Sequence, residues 1–158
     1  MNPSDPITAP PNTTKHCAMD TREVVNLLAD IAGQVESILG EKGAISVFRY
    51  AGAQLGKRLG ESHPNGTEDD ARELIAKFFH DKEFMDAVGL QGHEATLSGC
   101  KIGLVLQERG ITAGKHALCN FGFGLIDGTV KAVTGKKIIT LHVESEYHAE
   151  GITCKETW

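Results

Sequence analysis

The chain of 158 residues is 41% hydrophobic and carries a formal charge of −5 at neutral pH, enough for one sizeable core but scarcely two. With one Trp, two Tyr and six Phe and no basic stripe, it offers neither the field nor the stacking platform of a direct nucleic-acid binder. No run approaches the roughly 20 apolar residues that span a bilayer.

The first 19 residues, MNPSDPITAPPNTTKHCAM, hold four of the five prolines and lack the pattern of a secretory signal. They are expected to form a disordered tail ahead of a single domain over 20–158, in a cytoplasmic protein. From Asp20 to Gly40, Val24, Leu27, Leu28, Ile31, Val35, Ile38 and Leu39 recur at spacings of three and four, which predicts an amphipathic helix capped by Asp20 and stopped by Gly40. A second helix is expected over about 44–60, with Val47, Phe48, Ala51, Leu55 and Leu59 on one face. Its Gly52 and Gly56, four apart, leave room for another element to approach closely.

ESHPNG reads as a turn, and Thr67 with Asp70 as the capping box of a third helix reaching about Lys82. Between Phe84 and Cys100, Val88, Leu90, Ala95 and Leu97 predict two short strands around Gly92. KIGLVLQERG fits a short helix or a strand. The segment 116–135 has helical spacing at Cys119, Phe123, Ile126, Val130 and Val133, yet Gly122, Gly124 and Gly128 each lower its helicity by about 1 kcal/mol relative to Ala. Close packing on a sheet would offset that cost. KKIITLHVES alternates, with Ile139, Leu141 and Val143 on one face and Ile138, Thr140, His142 and Glu144 on the other. ITCKETW closes the chain as a last strand. The expected class is α+β: N-terminal helices packed on an antiparallel sheet of about four strands, with a Gly-rich helix before the C-terminal hairpin.

FRYAGAQLGKRLGE and CNFGFGLIDGTVKAVTGKKI, in that order, resemble the glycine-spaced second helix and the Cys-led, Gly-rich helix of the 4-vinyl reductase-like domain family. The resemblance covers about 22–158. It implies a fold shared with subunits of vesicle-tethering particles and a role in holding small hydrophobic molecules. In the interior, Phe48, Phe78, Phe121 and Phe123 are then candidates to line an apolar cavity. It also implies a structural zinc site whose first and last cysteines fall on Cys119 and Cys154, whose acidic position falls on His142, and whose middle cysteine falls near Ser145. A neutral imidazole binds zinc well, but a hydroxyl is a poor ligand. Glu144, Glu146, His148 and Cys100 are the candidates for the missing donor. Related folds often pair through their N-terminal helices, so a homodimer is expected.

The four cysteines, Cys17, Cys100, Cys119 and Cys154, are too widely spaced for a disulfide scaffold in a chain this long. Apart from any metal, Cys119 and Cys154 read as small buried hydrophobes, and His142 and His148 as polar surface residues. Cys100 opens two other routes, a cysteine-based redox switch or a three-Cys site for zinc or an iron–sulfur cluster. GFGLIDG follows no clear strand and is not a phosphate loop. His80, His93, Glu94 and Asp127 are scattered and assemble no catalytic set. The leading expectation is a small-molecule-binding or sensory module with zinc at Cys119, His142, His148 and Cys154, helped by Cys100. The alternative is an accessory factor or enzyme in tetrapyrrole, cofactor or one-carbon metabolism.

Overall fold

A computed structural model describes residues 19–149 and 151–158. The expected tail, apart from Met19 but including Cys17, therefore lies outside the described residues, as does Glu150. The described residues form eight elements. Helix α1 runs over Thr21–Gly60, α2 over Glu68–Asp81, strands β1 and β2 over Ala87–Gln91 and Glu94–Ser98, α3 over Lys101–Glu108 and α4 over Ala117–Thr134. Strands β3, Leu141–His148, and β4, Gly151–Thr157, end it.

Asp20 and Thr67 both close capping boxes, at α1 and α2. Two separate helices were expected before Gly60. They form instead two limbs of α1, bent at Gly40, whose φ of 74° and ψ of 168° leave helical space for one residue only. A residue without Cβ adopts that conformation freely, so the helix resumes at once. The ambiguous KIGLVLQE is helical, and Gly135 ends α4 in the left-handed conformation.

The strands form one antiparallel sheet in the order β1-β2-β4-β3. Its inner face carries Ala95, Leu97, Ile152 and Cys154 against the helices, where Ile75, Leu106, Leu118, Leu125 and Ile126 fill the core. This is the expected α+β architecture. Among the described residues, no helix is long and apolar enough to cross a membrane.

The glycines of α4 serve a different contact from the one expected. Gly124 and Gly128 lie against the carbonyls of Arg49 and Ala53 in α1, while Gly52 and Gly56 of α1 lie against those of Phe121 and Leu125. A methyl at any of the four would strike backbone. The closely packed partner of the Gly-rich helix is thus α1 rather than the sheet. Arg49 locks this crossing to the start of the hairpin: its guanidinium donates to Asp127 Oδ2 at 2.7 Å and to the Thr140 carbonyl at 2.7 Å. Asp127 Oδ1 in turn accepts from the Thr140 N–H and hydroxyl, both at 2.7 Å.

That lock sets which of the two faces of the closing segment turns inward. Thr140 is fully buried, while Ile139, Leu141 and Val143 are exposed. Strand β3 also begins later than expected, at Leu141. A bulge between His142 and Glu144 breaks its register with β4, beyond which Ser145 pairs with Cys154. The extra residue lets His142 and Ser145, three apart, both turn inward.

Candidate functional site

Three cysteines from three elements meet at one small cavity beneath the sheet. Cys100 caps α3, and its sulfur accepts the Gly103 N–H at 3.3 Å. Cys119, in the first turn of α4, accepts the Gly114 N–H at 3.2 Å. Cys154 stands on β4 between Leu97 of β2 and Ser145 of β3. The enclosed space they line measures about 30 Å³, and Met85, Leu97, Ile102, Phe123, Ile126 and Glu156 complete most of its wall. That volume suits one or two waters at about 15 Å³ each, not an aromatic ring.

Beside the cavity runs a hydrogen-bonded chain of side chains. The Glu156 carboxyl lies 3.1 Å from His142 Nδ1, His142 Nε2 lies 3.1 Å from the Ser145 hydroxyl, and Ser145 Oγ lies 3.7 Å from Cys154 Sγ. Gly114 makes room for this chain. Its φ of 93° is strained for any other residue, and a Cβ there would overlap the His142 ring. Phe123 lies near-parallel to that imidazole, with centroids 6.5 Å apart, and the Arg49 guanidinium sits 5.9 Å from the Phe123 centroid.

Burial sets the protonation of these groups. It pushes the Glu156 carboxyl up to about 9, with the neighbouring Cys154 adding to the effect, and it lowers His142. Both are therefore neutral near pH 7, a carboxylic acid beside an uncharged imidazole. Burial raises the Cys119 thiol to about 12. Cys100 and Cys154 share a hydrogen bond that splits the pair, raising Cys100 well above the usual thiol range and drawing Cys154 down to about 7.

Of the residues expected at the site, Cys100, Cys119 and Cys154 are brought to one cavity, and His142 adjoins it through Ser145. His148 is not brought there. It is exposed, and its Nε2 lies 3.2 Å from the Thr153 hydroxyl on the outer face of the hairpin. Glu144 and Glu146 also leave the site, to bind Lys155 at 2.7 and 2.9 Å. Of the four phenylalanines, Phe123 alone lines this cavity. Phe48 is buried in the core, Phe78 stacks on Phe84, and Phe121 is half-buried at the α1–α4 crossing.

Sequence reasoning missed Glu156, Gly114, Met85 and Arg49. Glu156 was legible, because strand alternation in ITCKETW puts Ile152, Cys154 and Glu156 on one face. Arg49 had a weaker signal, a single cation inside the apolar run VFRYAG. Met85 and Gly114 had none.

No family model matches the chain, and no curated protein matches it in sequence. Among solved structures, the fold is similar to the phenol-responsive sensory domain of the transcription activator PoxR, crystallised with phenol. The TM-score is 0.59 and the identity 17%, over 84% of this chain and 74% of that one. At that identity the likeness establishes the shared fold.

Proposed function

We propose that this chain is a small-molecule-binding, sensory domain of the 4-vinyl reductase-like kind, which takes a small aromatic or apolar molecule between α4, α3 and the sheet. The observation that carries this reading is the enclosed, largely apolar cavity at Phe123 and Ile126, in a fold that PoxR's domain uses with phenol. The cavity is a nucleus for binding rather than a finished pocket, so a ring enters by displacing part of its wall. Gly122, with nothing within 4 Å of its Cβ position, leaves that wall thin on the α4 side. Phenol is the first probe, by calorimetry and thermal shift. Saturable binding is expected, with a stability gain of about 2.7 kcal/mol at a hundredfold excess over Kd. Nothing lies within 4 Å of a Cβ built at Gly122, so Gly122→Leu fills the space and should abolish that gain in a folded protein. Failure of phenol and of a panel of monosubstituted benzenes to bind saturably rejects the reading.

A metal at Cys119 and Cys154 is a second reading, favoured by the contact between Glu156 and His142. A carboxyl on Nδ1 orients the ring with Nε2 toward Ser145 and Cys154, the arrangement that metal-binding histidines use. Two thiols and one imidazole match zinc by donor type, and zinc would tie α4 to the closing hairpin. As the side chains stand, no three His, Cys, Asp or Glu among the described residues grip a common point. Metal analysis of native protein beside Cys119→Ala and Cys154→Ala tests this. Stoichiometric metal lost in both variants supports it, and metal-free native protein, purified reduced and without chelator, rejects it. Binding in a sensory domain is passed on through a contact surface. We assign that contact to a second copy pairing through α1, whose Leu27, Ile31 and Ile38 are exposed along one stripe.

A further inference from the structure

We infer that the groove where α1, α4 and the segment entering β3 meet is a site for a straight-chain organic carboxylate of about a dozen non-hydrogen atoms. Its volume is about 350 Å³, inside the range of small-molecule sites. Tyr50 and Ala53 of α1, Gly128 of α4, and Ile138 and Ile139 ahead of β3 give it a mostly apolar lining. It shares no residue with the cysteine-lined cavity, so the site exists whether or not phenol or zinc binds beneath the sheet.

The crossing of α1 and α4 makes the groove. A Cβ at Gly128 would stand 2.2 Å from the Ala53 carbonyl oxygen, so at this contact one residue has no side chain and the other only a methyl. The chain then returns beside the crossing, because Asp127 accepts from the Thr140 N–H and hydroxyl and Arg49 donates to the Thr140 carbonyl, each at 2.7 Å. Ile139, next to that lock, is 61% exposed, and Tyr50 on α1 is 67% exposed. Two large side chains of the lining therefore stand mostly in water, and a ligand that covers them gains from removing their apolar surface.

Charge selects the class of ligand. Lys131 and Lys137 also line the groove. The nearby Lys136 pairs with Glu68 at 2.6 Å, and Asp127, the lining carboxylate, is taken by Arg49 at 2.7 Å. Lys131 and Lys137 make no ion pair among the described residues, so the lining carries two uncompensated positive charges on a chain whose formal charge is −5. A small inorganic anion leaves Tyr50 and Ile139 in water, and a plain hydrocarbon leaves both ammonium groups without a partner. A carboxylate on an apolar chain meets both needs, its head at the lysines and its body along the isoleucines. At about 30 Å³ per heavy atom, the share of a water in the liquid, octanoate nearly fills the space.

The test titrates the full-length protein with octanoate and maps the site by backbone amide shifts in NMR. Saturable binding is expected, with the largest shifts at Tyr50, Gly128 and Ile139. Octanol, with the same chain and no charge, should bind at least about fivefold more weakly, and Lys131→Gln/Lys137→Gln should weaken octanoate by the same factor, since each loses two solvent-exposed ion pairs. Ile139→Asp sets a like charge in the groove and should also weaken binding while its circular dichroism stays native. Gly122→Leu, which fills the cavity beneath the sheet, should bind octanoate as the native protein does. Loss of binding in that variant, or shifts centred on Phe123 and Ile126, puts the ligand in the cavity and overturns the inference. Equal affinity for octanol and octanoate, or no effect of the two lysines, overturns it as well. So does a groove closed by a second copy, seen as octanoate failing to bind while Tyr50→Glu lowers self-association in sedimentation.

Discussion

At Gly114 the backbone comes so close to the His142 ring that a Cβ would overlap it. Alanine there meets both a φ of 93° and the imidazole, whereas Gly110, at φ 71°, faces open space. Gly110→Ala should cost about 1–2 kcal/mol, the strain of a left-handed residue alone. Gly114→Ala should cost about 2–4 kcal/mol, because ring displacement adds to that strain. Urea denaturation of the two variants gives the comparison, and equal costs would show that the ring is not held there. At this scale the sequence carried Cys119 and Cys154 through their place in a family pattern. It placed His148 wrongly, because nearness along a hairpin does not say which face a side chain takes. The bulge at Val143 is what turns Ser145 toward Cys154, and a period of two cannot reveal an inserted residue.

Among the elements, the pairing of α1 with α4 depends on which glycines touch backbone. Gly33 has nothing within 4 Å of a Cβ position and a helical conformation, so Gly33→Ala should stabilise the protein by about 1 kcal/mol through helix propensity. Gly56→Ala has the same intrinsic gain but drives a methyl into the Leu125 carbonyl and the Thr129 N–H. It should destabilise by about 1–3 kcal/mol net. Thermal melts of the two variants should move in opposite directions, and a shared direction would refute the crossing. The helices were legible because their apolar period runs for several turns and their caps are explicit at Asp20 and Thr67. Their partners were not, since glycine spacing reports that something comes close without naming it. KIGLVLQE was too short for period alone to separate helix from strand.

For the molecule as a whole, the exposed stripe of Leu27, Ile31 and Ile38 faces away from the core, and Ile38 is 78% exposed. If a second copy covers it, Ile38→Glu should weaken self-association at least tenfold, a loss of about 1.4 kcal/mol. Sedimentation over a concentration series measures this, and a native protein that is monomeric throughout rejects the pairing. The same helix meets α4 backbone to backbone at four glycines, and α4 supplies Cys119, Phe123 and Ile126 to the cavity. Side chains between two helices can change rotamer and absorb a displacement, but at these four glycines backbone meets backbone. The crossing therefore works as a stiff mechanical linkage: a fraction of an ångström gained at the cavity end of α4 is delivered to α1 undamped. If a ligand enters as proposed, spin labels on the two helices should move together, and a changed distance between them would refute the linkage.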